Sequence, residues 1–486
     1  MSHSTLVFPQ AVDSLQADRG VIRGQLRDTY NRLHSIAADS DFIQDEVCRA
    51  YPDFPAIPNQ RAGAWYVKPT EKTPFAYFKS TDGHTNEHNF NMRRVNLALL
   101  PIIKERKGII LVDSTRRGKR FPDALSKTIP LWCATLNAAR QKLLPPDPSN
   151  SSVSEDDWRR EGTLYTSPQA VGPSEHAQIA KQIEKWATDL ASSAYDLTTL
   201  KSLDRPLRPY FVSPSSSFSR HNASDFSTCY PIICASASKL AEEADGMERA
   251  RGFTYVQGSG DDHEGWSKGL TPKVFWDFAD EILSASREEI DSTISRILDE
   301  TSISTGLAST SISNRSTPSS STRIRSTRIN LAFVVDKLGE LPSTTQSISV
   351  AATKVIPPSR SIDDESDPLD LVAKPGKAGY TSFFTNLEKT LELASKQIRE
   401  ENRDVVIYVR PSDSQSEADD LGIAITLILL VRLYDDAGSL LSAPPSPISK
   451  DLIRLRLQWI LEAFPSINPS RAVLNRVNEF LIRRVK

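Results

Sequence analysis

Three polar strings in this chain combine residue types that act on phosphates and sugars. They are Lys79-Ser80-Thr81-Asp82-Gly83-His84-Thr85, Asp113-Ser114-Thr115-Arg116-Arg117-Gly118-Lys119-Arg120 and Gly258-Ser259-Gly260-Asp261-Asp262-His263-Glu264. In the second, Arg116, Arg117, Lys119 and Arg120 surround Gly118, directly after the apolar run Gly108–Val112 and just before Pro122, where a helix can begin. Backbone N–H groups and a helix N-terminus there point at an anion, and guanidinium groups grip one through paired hydrogen bonds. The competing reading is a basic surface loop after a core strand, and the loop alone does not separate the two. The third string could hold a divalent cation through Asp261, Asp262 and Glu264. Oxygen ligands of this kind suit magnesium, which keeps several waters and shares a substrate phosphate. The competing reading there is a solvated acidic turn.

The elements that must position these strings follow from the pattern around them. Residues Ala17 to Tyr51 have helical spacing, with Leu26, Tyr30, Leu33 and Ile36 as an apolar stripe. Turn-rich Pro52–Gly63 ends that region, and Ala64–Val67 and Phe75–Phe78 read as short strands. A helix is expected over Phe90–Arg106, a buried strand over Gly108–Val112 and a helix from Pro122 to about Leu144. Strand, polar loop, helix, strand, polar loop, helix is the order of a parallel α/β unit, whose ligands sit beyond the carboxyl ends of the strands. The first two strings would then share one edge. Pro145–Ser154 reads as a surface insertion, Ser174–Ser192 as a helix, and Pro209–Val212, Pro231–Cys234 and Gly252–Val256 as further strands, the last delivering the third string. The Ser/Thr/Arg-rich stretch 299–327 reads as a linker or mobile insertion between an N-terminal α/β domain, 1–298, and a C-terminal domain, 328–486. In the latter, Leu331–Val335, Ile348–Ala352 and Val405–Val409 read as strands, 359–378 as a loop, and Thr381–Glu400, Leu421–Leu433, Lys450–Phe464 and Pro469–Arg484 as helices.

Composition narrows the classes. A chain of 486 residues is long enough for two or three domains with substantial cores. Its net charge of −2 points to no polyanion partner globally, so any nucleic-acid surface must be a local patch. No run has the length and apolarity of a membrane span, and Met1–Gln10 is no secretory signal. The scattered Cys48, Cys133, Cys229 and Cys234 resemble neither a disulfide framework nor a zinc site, which points to a reducing compartment, cytoplasm or nucleus.

Those three strings, with Trp266, the flank Asp123–Cys133 and the C-terminal Asn468-Pro469-Ser470-Arg471 and Arg476-Val477-Asn478, closely resemble the initiator-tRNA phosphoribosyl transferases. The resemblance spans nearly the whole chain, apart from the 299–327 stretch and an insertion at 145–160. It implies transfer of a 5-phosphoribosyl group from phosphoribosyl pyrophosphate to the ribose 2′-hydroxyl of adenosine 64 in initiator methionine tRNA. It also implies a C-terminal domain similar to dual-specificity phosphatases. That reaction needs charge neutralisation at two phosphate groups, a base, and a carboxylate near a sugar centre that becomes cationic. Arg116, Arg117, Lys119 and Arg120, with Ser114, Thr115 and Gly118 of the same turn and Lys79 and Ser80 of the first string, are expected to bind donor phosphates. Asp261 and Asp262, with Glu264, are expected to hold magnesium, a duty Asp82 and Asp113 could perform instead. Asp113 is the first choice for base or cation stabiliser, and His84 the second because its ordinary pKa lies near neutrality. The adjacent acids preceding a Thr-Gly-Thr turn of the common type I transferases are missing, so their residue roles do not carry over.

In the C-terminal domain a strand–loop–helix cradle lies over Val405–Leu433, but no cysteine follows Cys234, so no phosphatase thiolate can form. The loop starts with Arg410 and ends in Glu417, Asp419 and Asp420. An A-form stem presents 2′-hydroxyls and little sequence in its accessible groove, so recognition should be geometric. Arg93, Arg94, Lys104, Arg106, Lys107, Arg471, Arg483, Arg484 and Lys486 are the expected backbone contacts. No obligate protein partner is evident.

Overall fold

The computed structural model describes residues 27–60, 62–69, 76–79, 88–116, 118–144, 154–240, 252–262, 265–311, 321–333, 345–352, 369–374, 376–410, 412, 414–464, 467 and 469–483. The chain divides into two compact units: residues up to Ser311 apart from Ser193–Asp196, and Ser193–Asp196 with Ile312 onward. Among the described residues, no helix is long and apolar enough to cross a membrane.

The first unit is built on a four-stranded sheet, β1 (Ala56–Pro58), β2 (Ile109–Asp113), β3 (Leu207–Val212) and β4 (Tyr230–Ser236), in the order β1-β2-β4-β3. Every pairing is parallel. The register sets Pro58 opposite Val112, Asp113 opposite Ser236 and Val212 opposite Ala235, so all four strands finish at one edge. β2 and β4 are buried at every position, as central strands covered on both faces must be. Around the sheet lie α1 (Thr29–Phe42, continued through a π-helical Ile43–Val47 to Ala50), α2 (Leu99–Arg106), α3 (Ile129–Leu143), α4 (Glu155–Glu161), α5 (Pro173–Ala191), α6 (Thr198–Lys201), α7 (Pro272–Asp277), α8 (Ala279–Ser284) and α9 (Ile290–Ser311). Leu33 and Ile36 of α1 join Ile110 and Val112 of β2, Ile233 of β4 and Trp65, Trp266 and Phe275 in the core.

Several elements differ from expectation. Ala64–Val67 is no strand; Gly63–Trp65 is a 3₁₀ turn lying so close to β2 that a Cβ on Gly63 would sit 2.1 Å from the Val112 oxygen. Ala76–Phe78 carries only a single bridge, Asn59 to Ala76, because side chains take the place of a neighbouring strand: Asn96 pairs with both backbone groups of Tyr77 and Asn59 with both of Phe78. The expected first strand is instead β1. The helix expected over Phe90–Arg106 is confined to α2, since Asn96 adopts φ 51° and holds the preceding turns open. Phe253–Val256 is held by α1 rather than by the sheet, with Thr254 N–H on Asn31 and Val256 N–H on Ser35. Helix α9 runs into the stretch expected as linker, as far as Ser311, and strand β5 (Thr322–Arg323) occupies part of its end.

The second unit has a five-stranded sheet in the order β5-β6-β9-β7-β8, with β6 (Ile329–Ala332), β7 (Thr345–Ala352), β8 (Leu369–Ala373) and β9 (Asp404–Val409), parallel except for β5 against β6. Strand β8 falls within the stretch 359–378 that was expected to be loop, because Leu369–Ala373 pairs in register with Ile348–Ala352 of β7. Helices α10 (Lys377–Arg399), α11 (Gln415–Leu433), α12 (Lys450–Ala463) and α13 (Arg471–Arg483) complete it. Helix α11 begins six residues earlier than Leu421, so Glu417, Asp419 and Asp420 sit in its first turns, where acids complement the helix dipole.

Candidate active site

The carboxyl edge of the first sheet gathers Asn59 after β1, Asp113 and Ser114 at the end of β2, and Ser236 and Ser238 at the end of β4. Asp113 is 4% exposed. Its Oδ2 accepts from Asn59 Nδ2 at 2.7 Å, its Oδ1 from the Ser114 N–H at 2.9 Å, and its carbonyl from the Ala237 N–H at 2.9 Å. Asn59, fully buried, also donates to the Phe78 carbonyl at 3.0 Å and accepts the Phe78 N–H at 2.8 Å. One side chain thus fixes both the carboxylate and the backbone that leads into Lys79.

The basic turn is anchored through its backbone carbonyls. Ser236 Oγ donates to the Arg120 carbonyl at 2.7 Å and Gln257 Nε2 to the Lys119 carbonyl at 2.7 Å. Arg116 and Lys119 are exposed and Arg120 half-buried. Lys119 pairs with Asp123 at 3.0 Å, an exposed i,i+4 contact that contributes little and can reorganise. Gly258, at φ +71°, is where the glycine-rich turn meets the basic one: a Cβ there would lie 2.6 Å from the Thr115 oxygen and 2.8 Å from the Arg116 nitrogen. Only glycine combines that conformation with that approach.

The second and third strings therefore meet at Thr115 and Arg116, just past Asp113. The first string is tied in at its start, where Lys79 follows Phe78 and is exposed. Ser80, Asp82, His84, Arg117 and Glu264 lie outside the described residues.

Helix α1 fixes the glycine-rich turn from behind. Arg32 Nη1 donates to the Ser259 and Asp261 carbonyls at 2.9 and 3.2 Å, while its guanidinium lies 5.4 Å from the Trp266 ring centroid. Thr29 Oγ1 donates to the Trp266 carbonyl at 2.9 Å. Asp262 adopts φ 49° at the tip of the turn. Among the described residues no group of three or more His, Cys, Asp or Glu side chains could cage a metal.

A model of the Rit1 N-terminal domain matches residues 22–299, and one of the Rit1 DUSP-like domain matches residues 368–481. The chain belongs to the Rit1 family. It is 33% identical over 502 residues to the tRNA A64-2′-O-ribosylphosphate transferase of Saccharomyces cerevisiae, covering 95% of this chain and 93% of that protein. It is 35% identical over 470 residues to an uncharacterized protein of Schizosaccharomyces pombe, covering 95% and 96%. No solved structure matches the chain.

The other expected site residues are placed as follows. Arg93 and Lys107 are exposed and Lys104 is half-buried. Arg94 is half-buried, its guanidinium 3.4 Å from the Tyr77 ring centroid, which serves packing before any RNA contact. In the second unit Arg471 is exposed at the start of α13, the side chain of Arg483 and all of Arg484 and Lys486 lie outside the described residues, and the acids near the cradle are engaged internally. Glu417 accepts the Gly376 N–H at 3.0 Å and Asp420 the Ser470 N–H at 2.9 Å.

Sequence reasoning missed Asn59, Arg32 and Asp39. For Asp39 there was a signal: Asn31, Ser35 and Asp39 recur every fourth residue, a polar stripe on a helix otherwise read only for its apolar face.

Proposed function

We propose that this chain transfers a 5-phosphoribosyl group from phosphoribosyl pyrophosphate to the 2′-hydroxyl of adenosine 64 in initiator methionine tRNA. The observation that carries this reading is the meeting of the basic turn and the glycine-rich turn at Thr115 and Arg116, just past the buried Asp113, in a chain of the Rit1 family. Arg116, Lys119 and Arg120 bind donor phosphates, with Lys79 and Arg117 as further cations. The bond between the donor's anomeric carbon and pyrophosphate breaks, and a bond from that carbon to the acceptor 2′-oxygen forms. Asp113 takes the hydroxyl proton or faces the cationic sugar, and Asn59 holds its carboxylate in place. His84 and Asp82 are the alternatives for the proton. Magnesium would be held by Asp261 and Asp262 and would neutralise the leaving pyrophosphate. An ion that keeps waters and shares phosphate oxygens needs only one or two carboxylates, so the pair suits it. Exposed Arg93, Lys107 and Arg471, with half-buried Lys104, are the backbone contacts proposed for RNA, and the reaction belongs in the cytoplasm or nucleus.

The test is incubation of the protein with initiator tRNA and donor labelled in the ribose. Label in RNA supports the reading, and released phosphate without labelled RNA refutes it in favour of hydrolysis. Tight tRNA binding with neither product refutes it in favour of a catalytically inactive tRNA-binding protein. Asp113→Asn should abolish transfer while tRNA affinity stays near that of the unaltered chain.

A further inference from the structure

Below the two anion turns lies a buried chain of hydroxyls that ends on a carboxyl of α1. Asp39 is 4% exposed. Its Oδ1 accepts from the Tyr255 hydroxyl and its Oδ2 from Ser238 Oγ, both at 2.7 Å. Ser238 Oγ lies 2.5 Å from Ser114 Oγ, at the head of the basic turn, and accepts the Gly258 N–H at 3.1 Å, at the head of the glycine-rich turn. Tyr255 accepts the Lys239 N–H at 2.8 Å, which fixes the backbone just past Ser238. The Tyr66 hydroxyl lies beside the Ser114 and Ser238 hydroxyls and accepts the Gly260 N–H at 2.9 Å. Five segments of chain, from α1, the turn after β1, the ends of β2 and β4, and the glycine-rich loop, thus meet through four side-chain hydroxyls, one carboxyl and the backbone N–H groups they accept.

We propose that Asp39 is a positioning residue for donor binding: through Ser238 and Tyr255 it locks Ser114 and Gly258 together, so that the two turns form one anion cradle. This rests on the transferase reading. The argument is geometric. Ser114 and Gly258 each begin a turn whose N–H groups or cations must converge on the same phosphates, and both bond to one hydroxyl, that of Ser238. That hydroxyl has one proton to place among Asp39, Ser114 and Tyr66 while it accepts the Gly258 N–H, so its direction is set by the carboxyl at the end of the chain. Burial pushes the Asp39 carboxyl up to about 8. At neutral pH the carboxyl keeps its proton, so Oδ2 donates to Ser238 Oγ in place of accepting from it and Ser238 turns its own proton toward Ser114, while Oδ1 still accepts from Tyr255; an asparagine amide offers the same donor and acceptor. None of these atoms belongs to the exposed cations proposed for RNA.

The experiment compares the full chain with Ser238→Ala, Asp39→Leu and Asp39→Asn, measuring phosphoribosyl pyrophosphate binding directly by calorimetry, tRNA binding by filter retention, and the melting temperature. Ser238→Ala and Asp39→Leu should weaken donor binding by about tenfold or more, with tRNA affinity within about twofold, because only the cradle loosens. Asp39→Asn should keep donor affinity within about threefold. Ser238→Ala removes a single oxygen and keeps the test open should Asp39→Leu fail to fold. Donor affinity unchanged in Ser238→Ala overturns the inference, as does an Asp39→Asn chain damaged as deeply as Asp39→Leu. Parallel losses of donor and tRNA affinity also overturn it, because they mark general unfolding. If the unaltered chain binds no donor, the transferase reading falls and the inference with it; if it binds donor and the variants match it, only the inference falls.

Discussion

Asp39→Asn also makes a prediction about stability that does not depend on activity. Burial is the largest influence on this carboxyl, raising it from the usual 3.8 to about 8 against the lowering effect of hydrogen bonds from Tyr255, Ser238 and the Lys239 backbone. Between those two values the native chain keeps a proton that the unfolded chain has released. The carboxyl's contribution is therefore fully present below about pH 4 and is lost as the pH rises toward 8. Each pH unit in that window is worth about 1.4 kcal/mol, so on the order of 4 kcal/mol disappears between about pH 4 and about pH 7. Asparagine keeps an acceptor for Tyr255 and a donor for Ser238, and has no proton to lose. The variant should match the unaltered chain near pH 4 and exceed it by on the order of 4 kcal/mol near pH 7. Urea unfolding followed by tryptophan fluorescence reads this unit, because Trp65, Trp132, Trp158, Trp186, Trp266 and Trp276 belong to it and Trp459 to the other. Taking the difference between the two chains at each pH cancels every other titrating group. A difference that stays flat from acid to neutral pH would refute the claim that Asp39 is held neutral.

Other substitutions probe the site from different sides. Asn59→Ala strands buried partners on Asp113 and Phe78, and should cost about 1–3 kcal/mol of stability in denaturant unfolding while slowing transfer by about tenfold or more. Gly258→Ala forces a methyl group against the Thr115 carbonyl at a left-handed backbone position. It should lower the melting temperature and abolish donor binding by calorimetry, whereas Gly118→Ala, with open space around it, should be milder despite its φ of +87°. Arg116→Ala removes an exposed cation and should raise the donor KM by about tenfold or more with no change in melting temperature.

The parts of the site legible in the sequence were those where a local pattern and the tertiary fold ask for the same thing. Residues 108–112 form a continuous apolar run, and the fold uses it as β2, buried on both faces and ending in Asp113. Pro122 and the apolar spacing after it mark the helical segment that becomes α3. The parallel order of strands then forces both turns to one edge. Strand β1 was hidden because Ala56-Ile57-Pro58 sits in a proline-rich stretch; only its pairing with β2 makes it a strand. Phe75–Phe78 erred in the other direction. Its aromatic residues favour extended backbone, but Asn59 and Asn96 satisfy Phe78 and Tyr77, so no neighbouring strand is needed.

The same distinction governs the C-terminal cradle. Read as a string, Arg410 followed by Glu417, Asp419 and Asp420 is a phosphate loop spoiled by acids. In the structure the acids belong to α11 and have structural partners: Glu417 takes the N–H of Gly376, the residue that caps α10, and Asp420 takes the Ser470 N–H just before α13 while also receiving the Tyr380 hydroxyl at 3.2 Å. Burial raises the Asp420 carboxyl above its ordinary range, as expected of a group facing its own helices rather than water. Ser412 closes the loop by donating to the Arg410 carbonyl at 2.9 Å and accepting the Ala352 N–H at 3.1 Å. A phosphatase keeps such a loop open so that N–H groups surround an anion next to a thiolate. Here no cysteine is present to supply a thiolate, and the helix behind the loop ties the start of α10 to the start of α13 through Glu417 and Asp420.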